Sequence, residues 1–184
     1  MPQKWFHFCM IFACITNMSF AQKQILFTKV QCVLMSSQFI KVDCVQESNN
    51  SITIHLTTNN KDIANLWIVS DLNLYIFGVK NVMRLHGLRT EYCKAPTPGS
   101  RPNLQTMLYQ GIKNAQKCPL RRNSSYLFAQ IKFDANYLPS YLPEYNFTYV
   151  GNLFGDSVKS GELRMLGSFC FTYNDCTGTA KANV

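Results

Sequence analysis

Histidine, charge and long apolar runs are all in short supply in this chain, and each shortage removes a class of function. Three histidines occur in 184 residues, and charged side chains make up 15%. His7 falls in an apolar N-terminal stretch, which leaves His55 and His86 as the candidate histidine bases. No serine or cysteine nucleophile is spaced to complete a dyad or triad with either of them. His55 alternates with Ile54 and Leu56, so it is expected to point to solvent from a strand. The chain has no G-x-S-x-G elbow, no H-E-x-x-H and no glycine-rich phosphate loop. Asp71, Glu91, Asp134 and Glu144 stand apart, without the paired geometry of acid–base catalysis. No C-x-x-C pair or His spacing marks a metal centre. Neither an enzyme, a metal nor a cofactor is expected.

Long apolar runs are missing too, except at the N-terminus. There Lys4, the run Trp5–Ile15 and the small residues Ser19 and Ala21 have the layout of a secretory signal cleaved after Ala21. The run is short for a hydrocarbon layer of about 30 Å, and no later segment offers about 20 consecutive apolar residues. The expectation is a signal peptide over residues 1–21 and one soluble, extracellular domain over residues 22–184. That length suits a single domain with a core of its own. No internal repeat, linker or low-complexity segment divides it.

Cysteine, by contrast, is plentiful. Cys9 and Cys14 leave with the signal, and Cys32, Cys44, Cys93, Cys118, Cys170 and Cys176 remain. An even set in an oxidising compartment predicts three disulfides, although six cysteines allow fifteen pairings. Proximity favours Cys32–Cys44, Cys93–Cys118 and Cys170–Cys176; a rival joins Cys32 to Cys170 and staples the first strand to the last. Asn49, Asn123 and Asn146 head glycosylation sequons, the first two in polar, turn-like sequence and the third in a strand-like one. The whole chain has 18 Lys and Arg against 10 Asp and Glu, a net charge of +8, and Lys4 leaves with the signal. The basic residues are scattered; the tightest group, Lys113, Lys117, Arg121 and Arg122, is a local patch, read as ordinary solvated surface.

Strand patterns dominate the pass along the chain. Ile25–Val33 and Phe39–Val45 are short β-branched and aromatic runs, and Ile52, Ile54 and Leu56 alternate with Thr53, His55 and Thr57. Leu66–Val79 is apolar on both parities, as expected of a central strand or a cavity wall. Asn81–Thr90 and Tyr126–Phe133 read as further strands. Tyr145–Phe154 and Glu162–Tyr173 form a closing hairpin, with Asp156 and Gly161 near its turn. Pro96, Pro98, Gly99 and Pro102 make a loop that leads into Asn103–Lys113, the one helix pattern after the signal, with Leu104, Met107, Leu108 and Ile112 on one face. Seven or eight strands and one short helix predict an all-β sandwich or barrel.

The apolar inventory, 13 Phe, 9 Tyr and 7 Met, fits a filled core first. If the two sheets are splayed, the same residues line a pocket for an acyl chain, each buried methylene contributing about 0.8 kcal/mol.

Particular residues, in a particular order, add a resemblance. FTKVQC at Phe27–Cys32, a cysteine twelve positions on at Cys44, YCKAP around Cys93, the LQTMLYQGIKNA helix, KCPL at Lys117–Leu120 and LPSYLPEYNFTYV at Leu138–Val150 together resemble a family of secreted insect proteins. That family is catalogued as domain of unknown function 1091, and it is similar to the CheB chemosensory proteins and, distantly, to the ML lipid-recognition proteins. The resemblance implies an immunoglobulin-like two-sheet β-sandwich with a hydrophobic pocket between its sheets and no catalytic residues. It further implies that Cys93 pairs with Cys118, and that Leu104, Met107, Leu108 and Tyr109 lie near the pocket mouth.

The leading expectation is a secreted, non-enzymatic binder of a fatty acid, hydrocarbon, pheromone or other lipid. It would hold its ligand among Ile54, Leu56, Leu74, Ile76 and Leu108, with Lys or Arg at the rim for an anionic headgroup, and present it to a receptor or, in transient contact, to a membrane. The alternative is an extracellular protein–protein interaction module or co-receptor subunit with a filled core. A secreted hydrolase or nuclease is a third reading, carried only by the basic charge; nucleic acid is not an expected partner.

Overall fold

The computed structural model describes residues 23–77, 82–93, 118–133, 135, 142–171 and 176. Within them run eight strands: β1 (Gln24–Leu34), β2 (Phe39–Ser48), β3 (Ser51–Thr58), β4 (Leu66–Ile76), β5 (Val82–Glu91), β6 (Ser125–Lys132), β7 (Tyr145–Gly155) and β8 (Val158–Cys170). The helix expected at Asn103–Lys113 lies outside the described residues. No helix among the described residues is long and apolar enough to cross a membrane.

The strands form two antiparallel sheets, β1-β8-β7-β4-β5 and β2-β3-β6. Alternation decides which side chains meet between them. Ile52 and Leu56 on β3, Leu72 and Leu74 on β4, and Tyr145, Phe147 and Tyr149 on β7 all turn inward and are buried. The opposite parity of β3, Thr53, His55 and Thr57, lies on the outer side, His55 half-buried. β4 is central, between β7 and β5, which explains its apolar residues on both faces. Its outward Trp67 stacks on Phe154 at 5.9 Å and carries the Arg89 guanidinium 4.6 Å above its ring. At one end of the interior Phe27 meets Phe133 and Phe147 edge-on at 5.0 and 6.3 Å, and Tyr145 stacks on Phe169 at 5.0 Å.

Strict alternation fails at bulges. In β1 the register steps between Phe27 and Lys29, so one extra residue, Thr28, stands opposite the β8 ladder. Inward Phe27 is consequently followed by inward Val30 and Cys32 rather than by Lys29 and Gln31. A comparable shift brings Phe128 and Ile131 of β6, three positions apart, to the same inner side. In β5 the bulge falls between Leu85 and Leu88 and contains Gly87 at φ 66°, a backbone region that glycine enters freely.

The cysteines pair as Cys32–Cys44, Cys93–Cys118 and Cys170–Cys176, with Cα separations of 5.4, 5.4 and 5.5 Å. The rival Cys32–Cys170 is prevented by register: Cys170 stands opposite Gln24, and Cys32 opposite Leu163. Cys32–Cys44 joins β1 to β2 and therefore one sheet to the other. Cys93 follows β5 and Cys118 precedes β6, so the second bridge also connects the two sheets. The closing hairpin turns at Asp156–Ser157, both at positive φ, and Gly161 lies within β8.

At Gly167 β8 and its neighbours approach closely. A Cβ there would run into the Leu26 carbonyl and come within 2.6 Å of the Phe147 ring. Gly167→Ala is expected to destabilise the fold by about 1–3 kcal/mol through overpacking. Urea denaturation checks this, and an unchanged midpoint would show that β1 and Phe147 yield freely.

Candidate functional site

Between the sheets the inward side chains leave a small apolar cavity of about 70 Å³. The larger sheet contributes Cys32, Leu163, Gly151, Leu153, Leu66 and Ile68, with Tyr92 just beyond β5. The smaller sheet contributes Val42, Ile54, Leu56, Phe128 and Ile131. The β6 bulge lets Phe128 and Ile131 serve together. Tyr92 meets Phe128 edge-on at 5.5 Å, bridging the two sheets beside the cavity.

An apolar void of about 150 Å³ accepts benzene, and ligand pockets run to roughly 300–1,000 Å³. This space is therefore smaller than a ligand's volume. Uptake of an acyl chain requires the two sheets to move apart.

Of the expected pocket residues, Ile54 and Leu56 line the cavity. Leu74, buried, and Ile76, half-buried, share the inner face of β4 but lie farther along it, outside the lining. Leu104, Met107, Leu108 and Tyr109 are outside the described residues. No Lys or Arg is among the described lining side chains, so the expected cationic rim has no counterpart there.

One polar contact is built into this wall. Ser70 faces Gly151 in the β4–β7 register, and its hydroxyl lies 2.7 Å from that of Tyr149. Both residues are buried, Ser70 at 1% and Tyr149 at 5% exposure. Gly151 makes room for the tyrosine: a Cβ there would stand 2.8 Å from Tyr149 Oη. Burial pushes the Tyr149 hydroxyl's pKa up, and the Ser70 bond offsets this only in part, so the phenol is neutral. Nothing in the sequence links Ser70 to Tyr149; only the β4–β7 pairing does.

Glu162 borders the cavity from β8. Its carboxylate accepts hydrogen bonds from Lys159 Nζ at 3.0 Å and from Arg164 Nε, and these chains help to cover it, leaving the residue 6% exposed. The Lys159 bond first and the Arg164 bond second hold its pKa below the usual glutamate range.

Elsewhere the polar groups build local structure. His86 Nδ1 lies 3.3 Å from Asp71 Oδ1, which also accepts the Gly87 N–H at 3.0 Å, closing the β5 bulge on the outer face. An open cleft at one end of the sandwich is bordered by Asn60, Lys61, Asp62, Arg121 and Arg122. There Asp62 accepts the Arg122 N–H at 2.7 Å and Arg121 Nη1 at 3.2 Å; the Arg122 bond is the main cause of its lowered pKa. Among the described residues no group of three or more His, Cys, Asp or Glu is placed to hold a metal. Asn49 and Asn123 are exposed, in a turn and at φ 51° respectively, whereas Asn146 lies in β7 with its Oδ1 accepting Ser168 Oγ at 2.7 Å.

No family model matches the chain. No curated protein matches it either. Among solved structures it is similar to a Niemann–Pick type C2 protein from the Japanese carpenter ant, at 13% identity over 77% of this chain and 96% of that one, with a TM-score of 0.35.

A carboxylate whose folded-state pKa is lowered adds stability above its ordinary range and loses it as pH falls through the lowered value. Glu162→Gln is therefore expected to lower the unfolding midpoint at pH 7 and to lower it progressively less as the pH falls below the usual glutamate range. Denaturant titrations across that range test this; a loss independent of pH would assign Glu162's role to packing rather than charge.

Proposed function

We propose that this protein is a secreted, non-enzymatic carrier of apolar small molecules that binds them between its two sheets. The observation that carries this reading is the inter-sheet cavity, lined by aliphatic and aromatic side chains from both sheets. The core is continuous with it, so a chain that parts the sheets exchanges contacts with Ile54, Leu56, Leu153 and Leu163 for its own methylenes, each contributing about 0.8 kcal/mol on burial. Three disulfides and the N-terminal signal pattern support export through an oxidising compartment. Residues 22–184 form the mature domain in this reading.

The finer assignment, a chemosensory protein presenting a pheromone or fatty-acid-like ligand to a receptor, rests on the resemblance carried by FTKVQC, YCKAP, KCPL and LPSYLPEYNFTYV. Glycans belong to the same proposal, at Asn49, Asn123 and Asn146. At Asn49 and Asn123 the side chains are exposed as an acceptor requires; at Asn146 the side chain is half-buried in β7, with its Oδ1 accepting from Ser168. A second reading, an extracellular interaction module with a filled core, is favoured by the small size of the cavity, about 70 Å³.

Native mass spectrometry of the protein secreted from cultured cells separates the two. A carrier shows an added small-molecule mass that denaturing extraction releases as lipid. Ile54→Phe, which fills the cavity from β3, is expected to abolish that mass while keeping the thermal midpoint at or above the parent's. A parent without ligand, and unable to take up offered fatty alcohols, fatty acids and hydrocarbons, would favour the interaction module.

A further inference from the structure

The Tyr149–Ser70 hydroxyl pair sits against an otherwise apolar interior, and its hydrogen bonds do not balance. Each hydroxyl brings one donor, and one hydroxyl hydrogen suffices for the 2.7 Å bond between them. One O–H therefore remains, and no other partner for either hydroxyl is found among the described residues. An apolar pair such as Phe and Ala would fill the same space with no polar group to satisfy. The pair also stands in the right place for a ligand: Ser70 is in register with Gly151, a cavity-lining residue, and Tyr149 Oη lies 2.8 Å from where a Gly151 side chain would begin. Neither hydroxyl lines the cavity itself; the lining residue Gly151, whose missing side chain the Tyr149 ring occupies, stands beside both.

Charge narrows the ligand further. Among the described residues the charged member of the lining is Glu162, whose carboxylate is engaged by Lys159 and Arg164. A carboxylate headgroup drawn to this depth would find no cation among the described lining residues, at a large desolvation cost. A neutral oxygen, by contrast, would accept the spare O–H.

We infer that the ligand is an uncharged apolar molecule with one hydrogen-bonding oxygen, an alcohol, aldehyde, ketone or ester, and that Tyr149 and Ser70 anchor that oxygen beside Gly151. This deepens the carrier reading and rests on it. A free fatty acid, ionised at neutral pH, and a pure hydrocarbon are the poorer ligands. Gly151 is part of the device, because a side chain there would displace the Tyr149 ring.

The test is competition by n-octanol, n-octane and octanoate against a fluorescent naphthylamine dye bound to the full secreted chain at neutral pH. Raw affinities mix anchoring with the cost of drying the alcohol, so the quantity to read is the octanol-to-octane affinity ratio, compared between parent and variant. The ratio is expected to fall about tenfold in the double variant Tyr149→Phe/Ser70→Ala, the scale of one hydrogen bond, whereas each single variant frees the remaining hydroxyl's O–H and keeps a donor. Octane affinity should be unchanged, and octanoate should compete poorly with the parent. The comparison of octanol with octanoate on the parent stands on its own if the double variant does not fold, as judged by its thermal midpoint. A ratio unchanged in the folded double variant, or octanoate competing as well as octanol, would overturn the anchoring role and leave the carrier reading standing. If neither the dye nor any of the three probes binds the parent, the carrier reading itself falls, and the anchor with it.

Discussion

One extra residue in the first strand governs how the two sheets meet. Without the bulge at Thr28, the parity that turns Phe27 inward would turn Lys29 and Gln31 inward too and send Cys32 to the outer face. With it, Phe27, Val30 and Cys32 all face the interior, and Cys32 reaches Cys44 of the smaller sheet. No hydrogen-bonded strand ladder joins the sheets among the described residues. Their separation is held by side-chain packing, by loop contacts such as Phe27 N–H to the Asn49 carbonyl, and by two inter-sheet disulfides. In the chain-entropy model, a bridge closing a loop like that of Cys32–Cys44 contributes about 3 kcal/mol.

The same ties limit how the interior can open. Cys32–Cys44 closes the side where β1 meets β2, and Cys93–Cys118 spans from the end of β5 to the approach of β6. Sheets fixed at these points can part by shifting the side chains between them, with the strand ladders intact. That motion exchanges one set of apolar contacts for another, which keeps its free-energy cost low only when an apolar ligand replaces what the sheets lose. The small cavity and the proposed carriage of a ligand are compatible on these terms. The hydroxyls of Tyr149 and Ser70 give an otherwise non-directional interior a preferred orientation for what enters.

Much of the fold was legible in the sequence because it depends on short-range pattern. Ile52, Ile54 and Leu56 announced an inward-facing strand, and the two-sided apolar stretch from Leu66 announced a central one. Sequence proximity favoured the cysteine pairs that formed; strand count predicted an all-β sandwich or barrel, and the choice of two sheets came from the resemblance. The bulges were not legible: alternation alone cannot foresee that Phe128 and Ile131 point the same way, or that Leu85 and Leu88 do. The site was half legible for the same reason. Ile54 and Leu56 follow from periodicity, but the wall opposite them, Leu153, Leu163 and Gly151, depends on the pairing of distant strands. The Tyr149–Ser70 contact, between residues 79 apart in sequence, is a property of register alone.

The account's central claim is that a neutral apolar molecule enters between the sheets. Methyl-resolved NMR of the protein titrated with n-octanol tests it most directly. The account predicts saturable shifts concentrated on the inward methyls of both sheets, Ile54 and Leu56 on one side and Leu153 and Leu163 on the other, with exposed Ile40, Leu127 and Leu166 unmoved. Shifts confined to the exposed methyls, or absent throughout, would contradict it.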